Sequence, residues 1–283
     1  MPSLGLLGQS LVAGLLLGGL YALLALGLSL SWGLLHLVNI GYFALAFLGA
    51  YITYHLGTVY HLAPWYSVLI IVPLFFLLGV GLHAVLARFR VAGLISLLVT
   101  FSLIVIVEAA IQWVWTADFR RFEVPYASHS FKVGPIYVPT LDLIACLVGA
   151  LLSVVTWAWL RWTYLGRALR ASAEDPAIAA AFGIDHRTQS LVLAGICAAY
   201  AGIAGVFIAL ISTLAPSQIW AWFGVIFAVV IIGRLGNPVG ALLAGFLIGA
   251  TESVTMAVVT PAWAPVVSFS VLIALLLWQP KWL

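Results

Sequence analysis

Nine apolar stretches, near 8–31, 34–56, 66–87, 92–115, 141–162, 189–212, 218–233, 238–258 and 263–279, follow one another with short connections. A run of about 20 apolar residues is the length an α-helix needs to cross the hydrocarbon of a bilayer. Helices are nearly the only structures that satisfy such a backbone there. Composition agrees, with 65% hydrophobic residues and only 7% charged, against about 25% charged in ordinary soluble domains. Water cannot be the solvent of this chain, because it has too little polar surface to cover itself. The expectation is an all-α fold, a polytopic transmembrane helical bundle of eight or nine spans. Residues 1–283 read as one domain, since no linker, charge run or low-complexity stretch divides them. Two stretches set the uncertainty in the count. The second contains Asn39-Ile40-Gly41 near its start and reads as a broken or re-entrant helix, and the seventh is short of a full span.

The first block lacks a basic leader and a cleavage site, so it is expected to stay as a span. With nine spans, one side receives Arg88, Arg90, Arg161, Arg167, Arg170, Arg187, Arg234 and Lys281, and the other only Arg120, Arg121 and Lys132. Basic residues accumulate in short cytoplasmic loops. The first group, and with it the C-terminus, is therefore expected to be cytoplasmic, and the N-terminus external if the second stretch crosses. Two longer loops result, an external one near 116–140 with Pro125, Pro135 and Pro139, and an internal one at about 163–188.

Several chemistries find no support. The basic residues are scattered over loops, which gives no footprint for nucleic acid. The six histidines lack HExxH spacing, and Cys146 and Cys197 lie inside apolar blocks as packing residues, so no metal site and no catalytic set is expected. There is no GxxxxGK[ST] phosphate loop, and Lys132 and Lys281 are the only lysines. If ATP supplies the energy, another polypeptide binds it.

The internal loop carries a written-out helix. Asp175 can accept from the free amides of a first turn. Pro176 suits the first helical position, and Gly183 can take the left-handed conformation that ends a helix with Ile184 folding back. Between them lie about seven residues, roughly 10 Å of helix. Ile178 and Phe182 are four apart and share a face. Either the membrane surface and neighbouring spans cover this face, or a partner does.

The wording of the loop favours the partner. Gly166-Arg167-x-x-Arg170-Ala171-x-Ala173-Glu174-Asp175, a run of small residues and Gly183-Ile184 resemble the EAA-type coupling loop of ATP-binding-cassette importers, in the form found in the branched-chain amino-acid permease family. The resemblance covers nearly the whole chain. Gly14-x-x-x-Gly18-Gly19-x-Tyr21-Ala22 is similar to the family's opening span, and Asn39 to the Asn of its Asn-Phe-Ala-His-Gly segment, which otherwise departs here as Ile40-Gly41-Tyr42-Phe43. Gly233-Arg234-Leu235-Gly236-Asn237-Pro238 resembles the late glycine-rich turn, with Arg234 where glycine is usual. Gly245 to Glu252 resembles the span after it.

The resemblance implies a permease subunit in a bacterial plasma (inner) membrane, not an enzyme. It imports branched-chain amino acids or a related small polar solute such as urea, an amide or a carboxylate. Implied partners are an external solute-binding protein, a second permease copy or homologue and two cytoplasmic ATPase subunits, which would hold ATP and Mg; this chain needs no cofactor, and membrane lipid surrounds it. The residues implied in ATPase coupling are Arg167, Arg170, Glu174, Asp175, Pro176, Ile178, Phe182 and Gly183.

Within the spans, Asn39 and Gly41 either line a translocation path at a helix break or form a polar kink. Glu252 is either a path-lining acid or one hydrogen-bonded to a neighbouring helix, and Glu108 reads as the latter. An intramembrane charge costs about 2.5–3.5 kcal/mol on insertion scales. Small-xxx-small pairs Gly14/Gly18, Gly236/Gly240, Gly245/Gly249 and Ala198/Gly202 read as packing faces within the subunit. Trp65, Trp113, Trp115, Trp157, Trp159, Trp162, Trp220, Trp222, Trp263, Trp278 and Trp282 read as interfacial belt residues. An ion-coupled stand-alone transporter is the competing class. It predicts inverted repeats and several midplane acids, and neither is evident in the sequence.

Overall fold

Glycine spacing in the first span dictates how the rest of the bundle assembles. In the computed structural model, described here for residues 4–89, 93–124, 129–134, 136–259 and 263–278, that span is a single 32-residue helix, α1 (Leu4–Leu35). At 1.5 Å per residue it is about 48 Å long, more than the roughly 30 Å hydrocarbon core. Its Gly14 and Gly18 lie against Gly249 and Gly245 of α10 (Pro238–Val258). A Cβ on Gly18 would stand 2.5 Å from the Gly245 carbonyl oxygen, and one on Gly14 the same distance from that of Gly249. On another face, Gly19 admits Cys146 of α5 (Thr140–Trp162), and Gly27 admits the Cys197 backbone of α8 (His186–Ile211). The small-residue faces thus act within the subunit, and both cysteines are packing residues at glycine contacts.

The other long apolar helices are α2 (Gly41–Val59), α3 (Pro64–Arg88), α4 (Leu94–Trp115), α9 (Gln218–Gly233) and α11 (Ala264–Trp278). Seven described helices, α1 to α5, α8 and α10, are long and apolar enough to cross a membrane. α9, with 16 residues, and the described part of α11, with 15, are shorter. The chain is therefore a multi-pass helical membrane protein. α1, α2 and α8 form its buried centre, whereas α3 and α4 turn most of their surface outward.

The bundle has two chemically different ends. At one, the external-type loop folds into a small antiparallel hairpin, β1 (Ser130–Val133) and β2 (Ile136–Pro139), turned at Gly134 with φ +62°. This is the one sheet among the described residues. The start of α1 reaches it, for the Gln9 side chain donates to the Tyr137 carbonyl (2.7 Å) and accepts from its amide (2.8 Å). The end of α2 meets it through Phe122 at Gly57, and Arg120 and Leu214 exchange backbone hydrogen bonds of 2.9 and 2.7 Å. At the opposite end, Gly33 packs on Gly236, whose amide donates to the Ser29 carbonyl (2.9 Å). α2 therefore traverses the bundle, and the start of α1 lies at the hairpin end. Arg120, Arg121 and Lys132 belong to the hairpin end, and the rest of the described arginines to the other. The predicted members Arg90 and Lys281, together with Pro125, Pro135 and Trp282, lie outside the described residues.

One boundary and part of the tryptophan belt differ from those read in the sequence. The break at the second stretch is not inside a helix; it is the joint 36–40 between α1 and α2, with His36 at φ 55°. Apolar residues run through the joint, so hydropathy alone does not reveal it. The tryptophans also divide: Trp65, Trp113, Trp162, Trp220 and Trp263 are exposed as belt residues should be. Trp115 instead packs inward on Tyr51 and His55, and Trp222 stands edge-on to Tyr21 at 5.8 Å.

Gly18→Val should destabilise the bundle by about 1–3 kcal/mol, the usual cost of overpacking, and lower its thermal midpoint in detergent. Gly81→Ala, with open space around the new methyl, should leave that midpoint unchanged. Equal midpoints for both variants would refute the role given to the α1–α10 contact.

Candidate functional site

The loop between α5 and α8 is almost entirely helical. Thr163 caps α6 (Tyr164–Glu174), its hydroxyl accepting from the Gly166 amide at 3.1 Å. Gly166, Leu169 and Ser172 bury one face of α6, with Gly166 seated on the backbone of Trp159 and Leu160. The other face shows Arg167 and Arg170 to solvent. This helix escaped the sequence reading, although the 166/169/172–173 spacing of small and apolar residues carries its signal.

α7 (Pro176–Ala181) follows after one residue. Asp175 caps it, its carboxylate accepting from the amides of Ala177 (2.9 Å) and Ile178 (3.0 Å), with Pro176 at the first position. At the far end Gly183 adopts φ +78°. The Gly183 amide donates to Ala180 (2.9 Å) and the Ile184 amide to Ala179 (3.2 Å), the paired bonds of a Schellman ending. Ala179 faces inward at 4% exposure, while Ile178 is 59% and Phe182 80% exposed. Two apolar side chains thus stand uncovered on a helix fixed at both termini, beside exposed Glu174, Asp175 and Pro176. Directly after it Asp185 caps α8; the Thr188 hydroxyl, the Arg187 and Thr188 amides and the Arg187 charge hold its carboxyl below the usual range.

The residues named inside the spans are well partnered. Asn39 is buried, and its Oδ1 accepts from the Gly41 amide at 3.1 Å, which starts α2. The Thr100 hydroxyl of α4 accepts from the Ile40 amide at 3.3 Å, while its one proton lies nearer the Ser96 carbonyl (2.8 Å) than the Val38 carbonyl (3.3 Å). Glu252 is 8% exposed and accepts from the Tyr21 hydroxyl at 2.7 Å. Tyr21 lies about 21 Å along α1 from Leu35, so Glu252 and Asn39 sit at different depths and are not brought together. Glu108 accepts from the Trp220 indole at 2.9 Å, a helix-to-helix bond between α4 and α9. Ring contacts of Phe223 with Phe43 (5.5 Å) and of Phe227 with Trp32 (5.3 Å) bind α9 to the start of α2 and the end of α1. Apolar periodicity alone could not assign these pairs.

The turn after α9 shows what the departure to Arg234 costs. Arg234 has φ +68°, in the half of conformational space that favours glycine. A side chain there costs on the order of 1–3 kcal/mol. Gly236, two residues on, also has positive φ (+74°).

A multi-pass helical bundle with a capped helix exposing Ile178 and Phe182 at its arginine-rich end is the form of a polytopic membrane protein. The chain belongs to the family described as branched-chain amino acid transport system / permease component, whose model matches residues 10–276. It is similar to the probable branched-chain amino acid transport permease protein LivH of Methanocaldococcus jannaschii, 28% identical over 97% of this chain and 92% of that protein. It is also similar to the high-affinity branched-chain amino acid transport system permease proteins LivH of Escherichia coli K12 (24%, 96% and 93% covered) and BraD of Pseudomonas aeruginosa (24%, 99% and 96% covered). No solved structure matches the chain.

Two stability predictions follow from these contacts. Asp175→Ala should cost α7 about 1 kcal/mol and speed amide exchange at Ala177 and Ile178 about 5-fold; unchanged exchange would remove the cap from the account. Glu252→Gln should keep an acceptor for Tyr21 and the wild-type thermal midpoint. Glu252→Leu should strand the buried hydroxyl at about 1–3 kcal/mol, and equal midpoints for the two would show that the bond does not support the fold.

Proposed function

We propose that the chain is the membrane-spanning subunit of an ATP-binding-cassette importer. It would take branched-chain amino acids, or a related small polar solute such as urea, an amide or a carboxylate, from an external binding protein. The observation that carries the reading is the exposure of Ile178 and Phe182 on a doubly capped helix at the arginine-rich end. A soluble apolar pocket is the natural cover for such a pair, because water leaves it unburied and Asp175 and Glu174 beside it disfavour insertion into lipid. In this reading α7 is the coupling helix, and α6 with Arg167 and Arg170 is its platform. Two cytoplasmic ATPases supply ATP and Mg, and a second permease copy or homologue completes the path.

The charge split supports an inner-membrane orientation with the α6–α7 end and the C-terminus in the cytoplasm. The names carried by the LivH and BraD proteins support the solute class. Asn39 and Gly41 at the α1–α2 joint, and Glu252 at mid-bundle, are proposed to flank the path as gating elements rather than solute ligands, since their polar atoms are already engaged within the subunit.

Phe182→Asp places a charge where the ATPase pocket is expected. At equal membrane expression it should reduce binding-protein-dependent uptake at least about 10-fold, the effect of roughly 1.4 kcal/mol lost at one contact, and release the ATPase on copurification. Normal uptake with the ATPase still bound would defeat the coupling assignment. Solute uptake by the purified chain alone, driven by an ion gradient, would defeat the importer reading itself.

A further inference from the structure

The end that carries α7 also holds a cavity of about 670 Å3 that the transport reading leaves unused. Its walls are the last turns of α3, the first turns of α8 and the α1–α2 joint. Arg88 and Arg187 bring two fixed positive charges to it, and the His83 and His186 rings line it beside them. No carboxylate belongs to the described lining. The nearest acid in sequence, Asp185, caps its own helix, accepting from the Arg187 amide at 3.1 Å and from the Thr188 hydroxyl, and offsets part of the Arg187 charge. Besides Ser190, the rest of the wall is apolar, with Leu35, Leu37 and Leu191 among its residues. A small inorganic anion would satisfy the charges and leave the leucines against water. A phosphate ester attached to a greasy body satisfies both, and basic pockets between transmembrane helices at the cytoplasmic side hold acidic lipid headgroups for this reason.

We propose that this cavity binds the phosphate headgroup of an acidic phospholipid such as phosphatidylglycerol, with Arg88 and Arg187 on the phosphate and the leucines beside the glycerol. The shared chemistry is a phosphate anion, and the alternative source is free phosphate from the cytoplasm. The bound lipid ties α3 to α8 five residues beyond the end of α7, and it touches the joint that separates α1 from α2. A second basic cavity, about 240 Å3 and lined by Arg161 and Arg170, is a control: it is smaller, and Arg161 already lies over the Trp157 ring at 5.3 Å.

The test uses the full chain in detergent, together with any subunits that remain attached, stripped of lipid and titrated with phosphatidylglycerol or phosphatidylcholine. Retained lipid is counted by native mass spectrometry. Phosphatidylglycerol should be held in preference to phosphatidylcholine, and millimolar inorganic phosphate should not displace it. Arg88→Gln with Arg187→Gln should weaken binding on the order of 25-fold, about 5-fold for each arginine near a lipid surface; Arg161→Gln with Arg170→Gln should change it little. Ala84→Phe, which narrows the cavity and leaves every charge in place, should also reduce retention, and it decides the matter if the arginine variant fails to fold. Equal retention of both lipids, equal loss in both double variants, or normal retention in Ala84→Phe would overturn the proposal. Displacement by inorganic phosphate would reassign the cavity to a soluble anion.

Discussion

Close backbone contact between α1 and α10 is the constraint on which the remaining architecture depends. In a bilayer, lipid tails solvate leucine as well as another helix does, so burying apolar surface gives helices little reason to associate. What holds them is dispersion at short range, and Gly14 and Gly18 facing Gly249 and Gly245 allow one helix to lie directly on the carbonyls of the other. The same device recurs where α1 meets α5 at Gly19 and α8 at Gly27. One long helix with glycines on several faces therefore becomes the post against which the bundle is built. Its hydrogen bonds then fix depth and rotation: Tyr21 to Glu252 near the middle, Gln9 to Tyr137 at one end and Ser29 to Gly236 at the other.

The polar residues inside the spans serve that frame first. A broken helix in lipid must hand its open amides and carbonyls to something. At the α1–α2 joint Thr100 and Asn39 accept from the Ile40 and Gly41 amides, so the break costs less than its sequence suggests. Glu252 likewise has its partner inside the subunit. These bonds link the α1–α2 joint to α4, and α1 to α10.

The amphipathic platform α6 and the capped helix α7 solve a different problem. A helix six residues long has no stability of its own. Here it is set by Asp175 at one end and Gly183 at the other, and it is carried on a helix whose Gly166 touches the backbone of α5. Local rules wrote these caps plainly, which is why α7 was legible to within a residue. The platform was less so, because a mixture of small, apolar and basic residues on one turn also describes an ordinary loop.

Sequence by itself determined the solvent, the helical class, the asymmetry of charge between the two ends and the ends of α7. Each of these depends on composition or on residues within a few positions of one another. Only the tertiary structure decided which glycine faces which carbonyl, that Glu252 answers to Tyr21 and Glu108 to Trp220, that Trp115 and Trp222 turn inward, and that the chain breaks at 36–40. The reason is physical: in a chain where nearly every face of every span is apolar, periodicity no longer says which face is inside. That choice is left to contacts between residues up to 231 positions apart.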